Sequence, residues 1–151
     1  MFSVNGFETV IVGGSRGIGQ AIVSGFIKAN AKVTIFDIDY PKFDGNYQFI
    51  KCDLSDLQSI KSTLKKYHEN NRVAKVLINC AAITIPGESH LYFDDDWFKS
   101  ISVNLSGTFF LCRELGRKMI EQNVQGSIIN FTSIGAEQGF ANNPGYAATK
   151  G

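Results

Sequence analysis

A tyrosine and a lysine near the end of the chain have the spacing of an acid/base pair. Tyr146 is followed four residues later by Lys150, and such residues lie side by side on a helix, about 5 to 6 Å apart at Cβ. Asn143 and Pro144 precede them as a helix cap and a first helical residue would. An ammonium group about 4 Å away interacts by about 4 kcal/mol at an effective dielectric near 20, which lowers the pKa of a phenol toward neutrality. We therefore expect Tyr146 to exchange a proton with a substrate.

The same spacing recurs at Tyr47 and Lys51, within a run of residues that predicts a strand. Four residues of a strand span about 13 Å at roughly 3.3 Å each, so these two side chains cannot act as a unit. We expect both to be structural.

A glycine-rich segment near the start of the chain has the spacing G-x-x-x-G-x-G, between an apolar strand and a helix. Glycines there allow a tight turn, a close approach of a pyrophosphate and free helix N–H groups aimed at it. The commoner dinucleotide fingerprint is G-x-G-x-x-G, and a turn that serves only strand-to-helix packing is the alternative. The predicted cofactor-binding residues in this segment are Gly13, Ser15, Arg16, Gly17, Ile18 and Gly19.

Two charged residues favour different dinucleotides. Asp37 closes the second predicted strand, where a carboxylate accepts hydrogen bonds from the adenosine ribose and repels a 2′-phosphate. Arg16 can grip such a phosphate in bidentate fashion. Because an exposed arginine can turn to solvent, we expect NAD(H) as the cofactor, with NADP(H) as the alternative.

Short β-branched runs alternate with longer helical patterns, which is typical of βαβ units and a parallel sheet. Strands are predicted at residues 9–12, 32–36, 47–52, 75–79 and 127–133, and helices after the glycines and at about 56–71 and 94–122. The first helix is expected to end at Asn30 and to bury Ile18, Ala21, Ile22, Gly25, Phe26 and Ala29. The predicted fold class is α/β, a doubly wound Rossmann-like parallel sheet truncated after the fifth strand and the start of the following helix.

The composition of the chain limits the kinds of partner that the protein can bind. Fifteen Lys and Arg against fourteen Asp and Glu give a formal net charge of +1, without the basic stripe that nucleic-acid binding requires. The sequence shows neither a basic and apolar leader nor an apolar run of the roughly 20 residues that span a bilayer. We expect a cytoplasmic protein that binds small molecules, and neither nucleic acid nor a membrane.

Residues that often bind metals have simpler explanations here, and we predict no metal site. The acidic residues 94–96 are expected to cap a helix and favour its dipole. His68 and His90 have no partner at ligand spacing. Three cysteines lie in apolar stretches without a CxxC pair and are expected to be reduced core thiols. They are Cys52, Cys80 and Cys112.

Across its whole length the chain resembles the short-chain dehydrogenases/reductases of the compact, single-domain type. The glycine segment, Asp53-Leu54, Asn104 in Val-Asn-Leu-Ser-Gly-Thr and the Tyr146/Lys150 pair match the motifs of that family. Two positions depart from them. Val12 stands where the family usually has threonine, and residues 79–82 read Asn-Cys-Ala-Ala instead of Asn-Asn-Ala-Gly.

The resemblance implies hydride transfer between a nicotinamide and an alcohol or carbonyl carbon, with Tyr146 exchanging the proton. Ser133, expected at the end of the fifth strand, would hydrogen-bond the reacting oxygen. Lys150 would also bind the nicotinamide ribose, and Asn104 would hold a water that joins the lysine to a proton relay. The implied catalytic residues are Asn104, Ser133, Tyr146 and Lys150. The implied cofactor contacts beyond the glycine segment and Asp37 are Asp53, Leu54, Asn79, Ala81, Tyr146 and Lys150.

The chain ends one residue after Lys150, and this affects the expected fold and the expected activity. We expect residues 1–151 to form one dinucleotide-binding and catalytic domain, incomplete at its C-terminus, because relatives continue past the lysine with more sheet and a segment over the substrate. The fifth strand would then be an uncovered apolar edge. Full-length family members usually form dimers or tetramers through two long helices. If 151 residues is the native length, a non-catalytic dinucleotide-binding or interaction protein is the alternative. Sugar-nucleotide epimerases and dehydratases fit less well because they favour another glycine spacing.

Overall fold

Five parallel strands alternate with helices in the computed structural model, which describes residues 3–151. The strands are β1 (Glu8–Val12), β2 (Lys32–Asp37), β3 (Tyr47–Lys51), β4 (Val76–Asn79) and β5 (Ser127–Asn130). The helices are α1 (Gly17–Lys28), α2 (Leu57–His68), α3 (Asp94–Ser100), α4 (Thr108–Glu121), α5 (Gly135–Gln138) and α6 (Pro144–Lys150). A π-helical segment (Ile101–Gly107) joins α3 to α4, and 3₁₀ turns cover Glu69–Asn71 and Ser89–Leu91.

The order of the strands is β3-β2-β1-β4-β5, so the chain winds outward from β1 in both directions. β1 pairs in parallel with β2 on one side and with β4 on the other. This is a doubly wound sheet, and it confirms the predicted fold class. The strand order reverses between β1 and β4, and ligands of such sheets bind beyond the carboxyl ends of the strands at that point.

Alternate residues of the strands enter two separate hydrophobic cores. In β1, Val10 and Val12 pack on the face covered by α2 and α4, whereas Ile11 packs on the face covered by α1. All four residues of β4 are buried, as its continuous apolar run predicts for a strand covered on both faces.

The buried side of α1 agrees in part with the predicted one, since Ile22 and Phe26 pack against the core. Gly19 and Val23 are buried, while Ile18 is 67% exposed and Gly25 is exposed. The prediction was wrong at the exposed positions because Gly19 packs against the glycine segment, which turns that side of the helix toward the sheet. Asn30, at φ 59°, ends the helix as predicted.

The long helix predicted at residues 94–122 exists, but the π-helical segment interrupts it. Its three aspartates, Asp94, Asp95 and Asp96, lie in the first turn, and Phe93 occupies the cap position. Their negative charges interact favourably with the helix dipole. They do not cap the helix, because within the described residues no side chain bonds the free N–H groups at this end.

β5 ends at Asn130, three residues earlier than predicted. It lies at the edge of the sheet, and Ile128 and Ile129 are 39% and 46% exposed. The expected apolar edge is therefore observed. Over residues 3–151, none of the helices combines the length and the apolar character needed to cross a membrane.

Candidate active site

Each glycine of the G-x-x-x-G-x-G segment meets a different steric demand. Gly13 has φ +75°, and a methyl group there would come within 2.6 Å of the Ala81 nitrogen. A methyl group at Gly19 would come within 2.0 Å of the Gly13 carbonyl oxygen. At Gly17 the only reason for glycine is the backbone conformation, since φ there is +56°. The segment is therefore shaped by packing as well as by its suitability for a phosphate.

Asp37 fixes the glycine segment to the end of β2. Its Oδ2 accepts a hydrogen bond from the Ser15 backbone N–H at 2.9 Å, and its Oδ1 accepts one from the Asp39 N–H at 3.2 Å. The Ser15 hydroxyl donates to the Asp39 carbonyl at 2.6 Å. Ser15 is buried by these contacts. A carboxylate has about four lone-pair sites, so Asp37 keeps capacity for ribose hydroxyls.

A cavity of about 580 Å³, here called the first cavity, opens beyond the carboxyl ends of the strands. The sequence-predicted residues in its wall are Gly13, Arg16, Ile18, Gly19, Asp37, Asp53, Leu54 and Ala81. Ser15, Gly17 and Asn79 lie outside this wall and support it. The Asp53 carboxylate itself accepts hydrogen bonds from the Ser55 backbone N–H and hydroxyl at 2.8 and 2.7 Å.

Several wall residues were missed by sequence reasoning, most notably Lys99 on α3. Lys99 and Arg16 both line this cavity. The spacing of residues along a helix does not indicate that Lys99 lies there. The others are Val12, Phe36, Ile38, Cys52, Ser55, Cys80, Ala82, Ile83 and Val103.

Asn104 sits in the π-helical segment and is 4% exposed. Its Oδ1 accepts from the Ile83 backbone N–H at 2.8 Å, and its Nδ2 donates to the Ile83 carbonyl at 2.9 Å. The same Nδ2 donates to the Thr149 hydroxyl at 3.1 Å. One side chain thus joins the long helix, the loop after β4 and α6. π-helical turns often occur at functional sites.

α6 carries both members of the predicted acid/base pair. The Lys150 Nζ lies 5.9 Å from the centroid of the Tyr146 ring and donates to the Phe131 carbonyl at 2.7 Å. Gly145 allows a close fit, since a methyl group there would lie 2.8 Å from the Ser100 Oγ. Asn143 occupies the cap position, as predicted, but in the described chain its side chain makes no capping bond.

A second cavity, of about 330 Å³, lies between the end of β5, α4 and α6. Asn79, Asn104 and Lys150 line it, and Ala81 lines both cavities. Tyr146 and Ser133 are partly exposed outside this wall. Ser133 lies three residues after β5, and its Oγ accepts from the Gly135 N–H at 3.1 Å, which begins the turn into α5.

Tyr47 and Lys51 lie on β3, and the Tyr47 hydroxyl donates to the Phe43 carbonyl at 2.6 Å. This second Tyr-x-x-x-Lys match is structural, as predicted.

Two of the cysteines, Cys52 and Cys80, are protonated thiols near neutral pH. Burial raises the pKa of Cys52 to about 11, and burial raises the pKa of Cys80 to about 11 although the Lys150 charge opposes it. Cys112 also carries a free thiol, and no disulfide joins cysteines of the described chain. Between residues 3 and 151, no group of three His, Cys, Asp or Glu side chains is arranged to hold a metal.

Comparison with known proteins accounts for this arrangement. A sequence profile described as short chain dehydrogenase matches residues 8–151. The chain belongs to the short-chain dehydrogenase family. One family member, the 3-oxoacyl-[acyl-carrier-protein] reductase of Chlamydia pneumoniae, is 32% identical over 96% of this chain and 62% of its own length. Another, the 2-dehydro-3-deoxy-D-gluconate 5-dehydrogenase of Pseudoalteromonas atlantica, is 30% identical over 99% of this chain and 63% of its own length.

A solved short chain dehydrogenase from Leptospira borgpetersenii, with bound NAD⁺, superposes with a TM-score of 0.91. It is 28% identical, and the match covers 98% of this chain and 61% of that structure. The chain therefore has the short-chain dehydrogenase fold and spans somewhat less than two thirds of the length of these relatives.

Proposed function

We propose that residues 1–151 form the dinucleotide-binding and catalytic domain of an NAD(P)-dependent oxidoreductase. The reaction transfers a hydride between the nicotinamide and an alcohol or ketone. The observation that carries the proposal is the Tyr146/Lys150 pair, one helical turn apart on α6, beside the same edge of the sheet as the glycine segment. A phenol next to an ammonium group has the properties of an acid/base near neutral pH.

The first cavity fits a dinucleotide. The amino end of α1, a 12-residue helix, faces the glycine segment and offers free N–H groups to a pyrophosphate. Asp37 lies where an adenosine ribose would be held, and Arg16 and Lys99 add positive charge around the phosphates. The volume of about 580 Å³ is in the range of cofactor sites.

The bound cofactor would accept or supply the hydride, and residues of the chain would manage the proton. In the oxidation direction, Tyr146 takes the hydroxyl proton of the alcohol at its phenolate oxygen. Lys150 holds that phenolate by its charge and keeps two of its three N–H donors for a ribose hydroxyl and a water, since one donates to Phe131. Ser133 would turn its hydroxyl toward the reacting oxygen. Asn104 keeps α6 in register with the loop after β4.

NAD(H) is the preferred cofactor in this proposal. The Asp37 carboxylate is held in place by two backbone N–H groups, so it cannot easily move away from a 2′-phosphate. Arg16 is exposed and free to turn to solvent. NADP(H) remains the alternative because Arg16 borders the same cavity.

The proposal also covers the substrate, the location and the oligomeric state of the protein. The substrate is a small alcohol or carbonyl compound, whose polar contacts would come from the loop at residues 82–90, and the location is the cytoplasm. The full-length protein forms dimers or tetramers through two long helices, one of them the helix of α3 and α4. Exposed aromatic side chains on that helix, Phe98 at 64% and Phe109 at 57%, support a subunit contact.

Replacing Tyr146 by Phe in the full-length protein tests the proposal. With a panel of alcohols and NAD⁺, we expect kcat to fall by about 10² to 10⁴, the usual contribution of positioned proton transfer. Binding of NADH, followed by fluorescence, should stay within about twofold of wild type. Tyr47→Phe is the matched control, since it belongs to the structural Tyr-x-x-x-Lys match. Undiminished turnover in Tyr146→Phe would remove the phenol from the mechanism, and NADH binding without turnover in the wild type would favour the non-catalytic alternative.

A further inference from the structure

The carboxyl ends of β4 and β5 are joined by a pair of asparagine side chains that the proposed reaction does not use. Asn79 and Asn130 are opposite each other in the register of the two strands. The Asn79 Nδ2 donates to the Asn130 Oδ1 at 2.7 Å. Asn79 is 4% exposed, so its amide has little access to water as an alternative partner.

A third side chain, Cys112 on α4, completes this cluster. The Asn79 Nδ2 also donates to the Cys112 Sγ at 3.3 Å, and the thiol donates to the Asn130 Oδ1 at 3.5 Å. The Asn130 oxygen therefore accepts two hydrogen bonds, one from the neighbouring strand and one from the helix above. These two side-chain bonds add to the backbone pairing that joins the end of β5 to β4.

The residue that follows the pair holds the candidate catalytic lysine. The Phe131 N–H donates to the Asn79 carbonyl at 3.3 Å, and the Phe131 carbonyl accepts from the Lys150 Nζ at 2.7 Å. β5 ends at Asn130, so the Phe131 peptide lies just beyond the regular ladder. One residue of β4, Asn79, thus bonds both the Asn130 side chain and the Phe131 peptide.

We propose that Asn130 is a positioning residue for Lys150. By accepting from Asn79 and Cys112, it fixes the Phe131 carbonyl, and that carbonyl fixes the ammonium group beside Tyr146. Its effect on turnover rests on the proposed function, whereas its effect on the lysine does not. Displacement of a catalytic group by about 1 Å can cost about 10²-fold in rate, so a contact of this kind matters although it is remote from the substrate.

Two substitutions at residue 130 distinguish the effect of the hydrogen-bond acceptor from the effect of the rest of the side chain. Asn130→Leu removes the oxygen, and Asn130→Asp keeps an oxygen in the same place. Asn130 is exposed within residues 3–151, where neither change buries a charge or opens a core cavity. Ser127→Leu is the matched control, because Ser127 is an exposed polar residue at the opposite end of the same strand.

The primary measurement is the rate at which acetic anhydride labels Lys150 in the full-length protein, read by mass spectrometry with Lys61 as the internal reference. In Asn130→Leu we expect labelling to accelerate by about tenfold, the factor associated with the loss of one hydrogen bond to a charged group. Asn130→Asp and Ser127→Leu should label no faster than wild type. Urea unfolding of each variant checks that the fold is retained.

The pH dependence of kcat supplies the second measurement. In Asn130→Leu, the pH profile of kcat for alcohol oxidation should move to higher pH and kcat at neutral pH should fall about tenfold, because the ammonium group no longer favours the phenolate, and KM for the alcohol should change little. Unchanged labelling in Asn130→Leu overturns the proposal, as does equal acceleration in Ser127→Leu. If the wild-type protein oxidises no alcohol, the proposed function fails, while the labelling rates still decide the role of Asn130.

Discussion

The carboxylate of Asp37 is committed to the protein backbone before any ligand binds. Its two oxygens accept from the N–H groups of Ser15 and Asp39, which ties β2 to the glycine segment. A residue expected to recognise a ribose therefore also caps the end of its strand.

This double role gives a prediction about cofactor choice. Asp37→Asn keeps an oxygen for the Ser15 N–H and removes the charge that repels a 2′-phosphate. We expect the ratio of NADPH to NADH affinity to rise about tenfold, since like charges directly opposed cost on the order of 1.4 kcal/mol at an exposed site. Equilibrium fluorescence titrations with both cofactors give the ratio.

Asp39→Asn serves as the control, because it removes an exposed carboxylate from the same turn, where only the backbone of residue 39 bonds Ser15 and Asp37. Arg16→Gln should lower NADPH affinity and leave NADH affinity unchanged. An affinity ratio that does not move in Asp37→Asn would exclude Asp37 as the selecting residue.

At the scale of single residues, the sequence located eight of the eighteen residues that line the first cavity, but not the arrangement of the catalytic candidates. The glycines, Asp37 and Asp53 follow strands, so their meeting at one edge of a parallel sheet was predictable. Ser133 was expected at the end of a strand because apolar residues continue through Phe131. Its actual place in a turn depends on tertiary hydrogen bonds that no local pattern encodes.

Among the elements, α1 shows how tightly the glycine segment is packed. Its buried side is defined by Gly19 and Val23, and a methyl group at Gly19 would lie 2.0 Å from a backbone oxygen. The periodicity of apolar residues predicted the helix and its end at Asn30. It identified Ile22 and Phe26 on the buried side but missed Gly19, because glycine carries no hydrophobic signal.

Gly19→Ala should therefore destabilise the protein. Overpacking against backbone that cannot yield costs typically 1–3 kcal/mol, and we expect a loss of at least that size in the free energy of unfolding, together with weaker NADH binding. Urea denaturation followed by circular dichroism measures the free energy of unfolding.

Gly25→Ala is the matched control on the same helix. A methyl group there meets no atom of the described chain within 4 Å, so the higher helix propensity of alanine should stabilise the protein by about 0.5–1 kcal/mol. Equal effects of the two substitutions would contradict the close contact at Gly19.

The π-helical segment is an element at the candidate site that the sequence did not predict. Its residues continue the apolar pattern of the long helix, and one wide turn changes that pattern too little to be seen in a window of residues. The hydrogen bonds of Asn104 to Ile83 and Thr149 accompany this turn and lie between residues far apart in the sequence.

For the whole molecule, the exposed aromatic residues of the long helix are the feature with the clearest consequence. Phe98 and Phe109 belong to successive parts of one helical rod and remain largely open to solvent. Large exposed apolar side chains on one element are typical of an interface between proteins.

Phe109→Glu in the full-length protein should shift the oligomer toward monomers, because a buried unpaired carboxylate strongly disfavours a contact. Sedimentation velocity across a range of protein concentrations measures this shift. Leu57→Glu, an apolar-to-acidic change on α2 at a side chain that is 37% exposed, is the control and should leave the oligomer intact. An unchanged oligomer in Phe109→Glu would place the contact elsewhere.

The two cavities have a lining residue in common. Ala81 borders both of them, and its own nitrogen lies where Gly13 would need room for a side chain. A larger side chain at residue 81 would reduce the volume of both cavities, whereas glycine would remove a methyl group from their lining. The choice of amino acid at residue 81 is thus limited by two binding spaces and by the close approach of Gly13 at once.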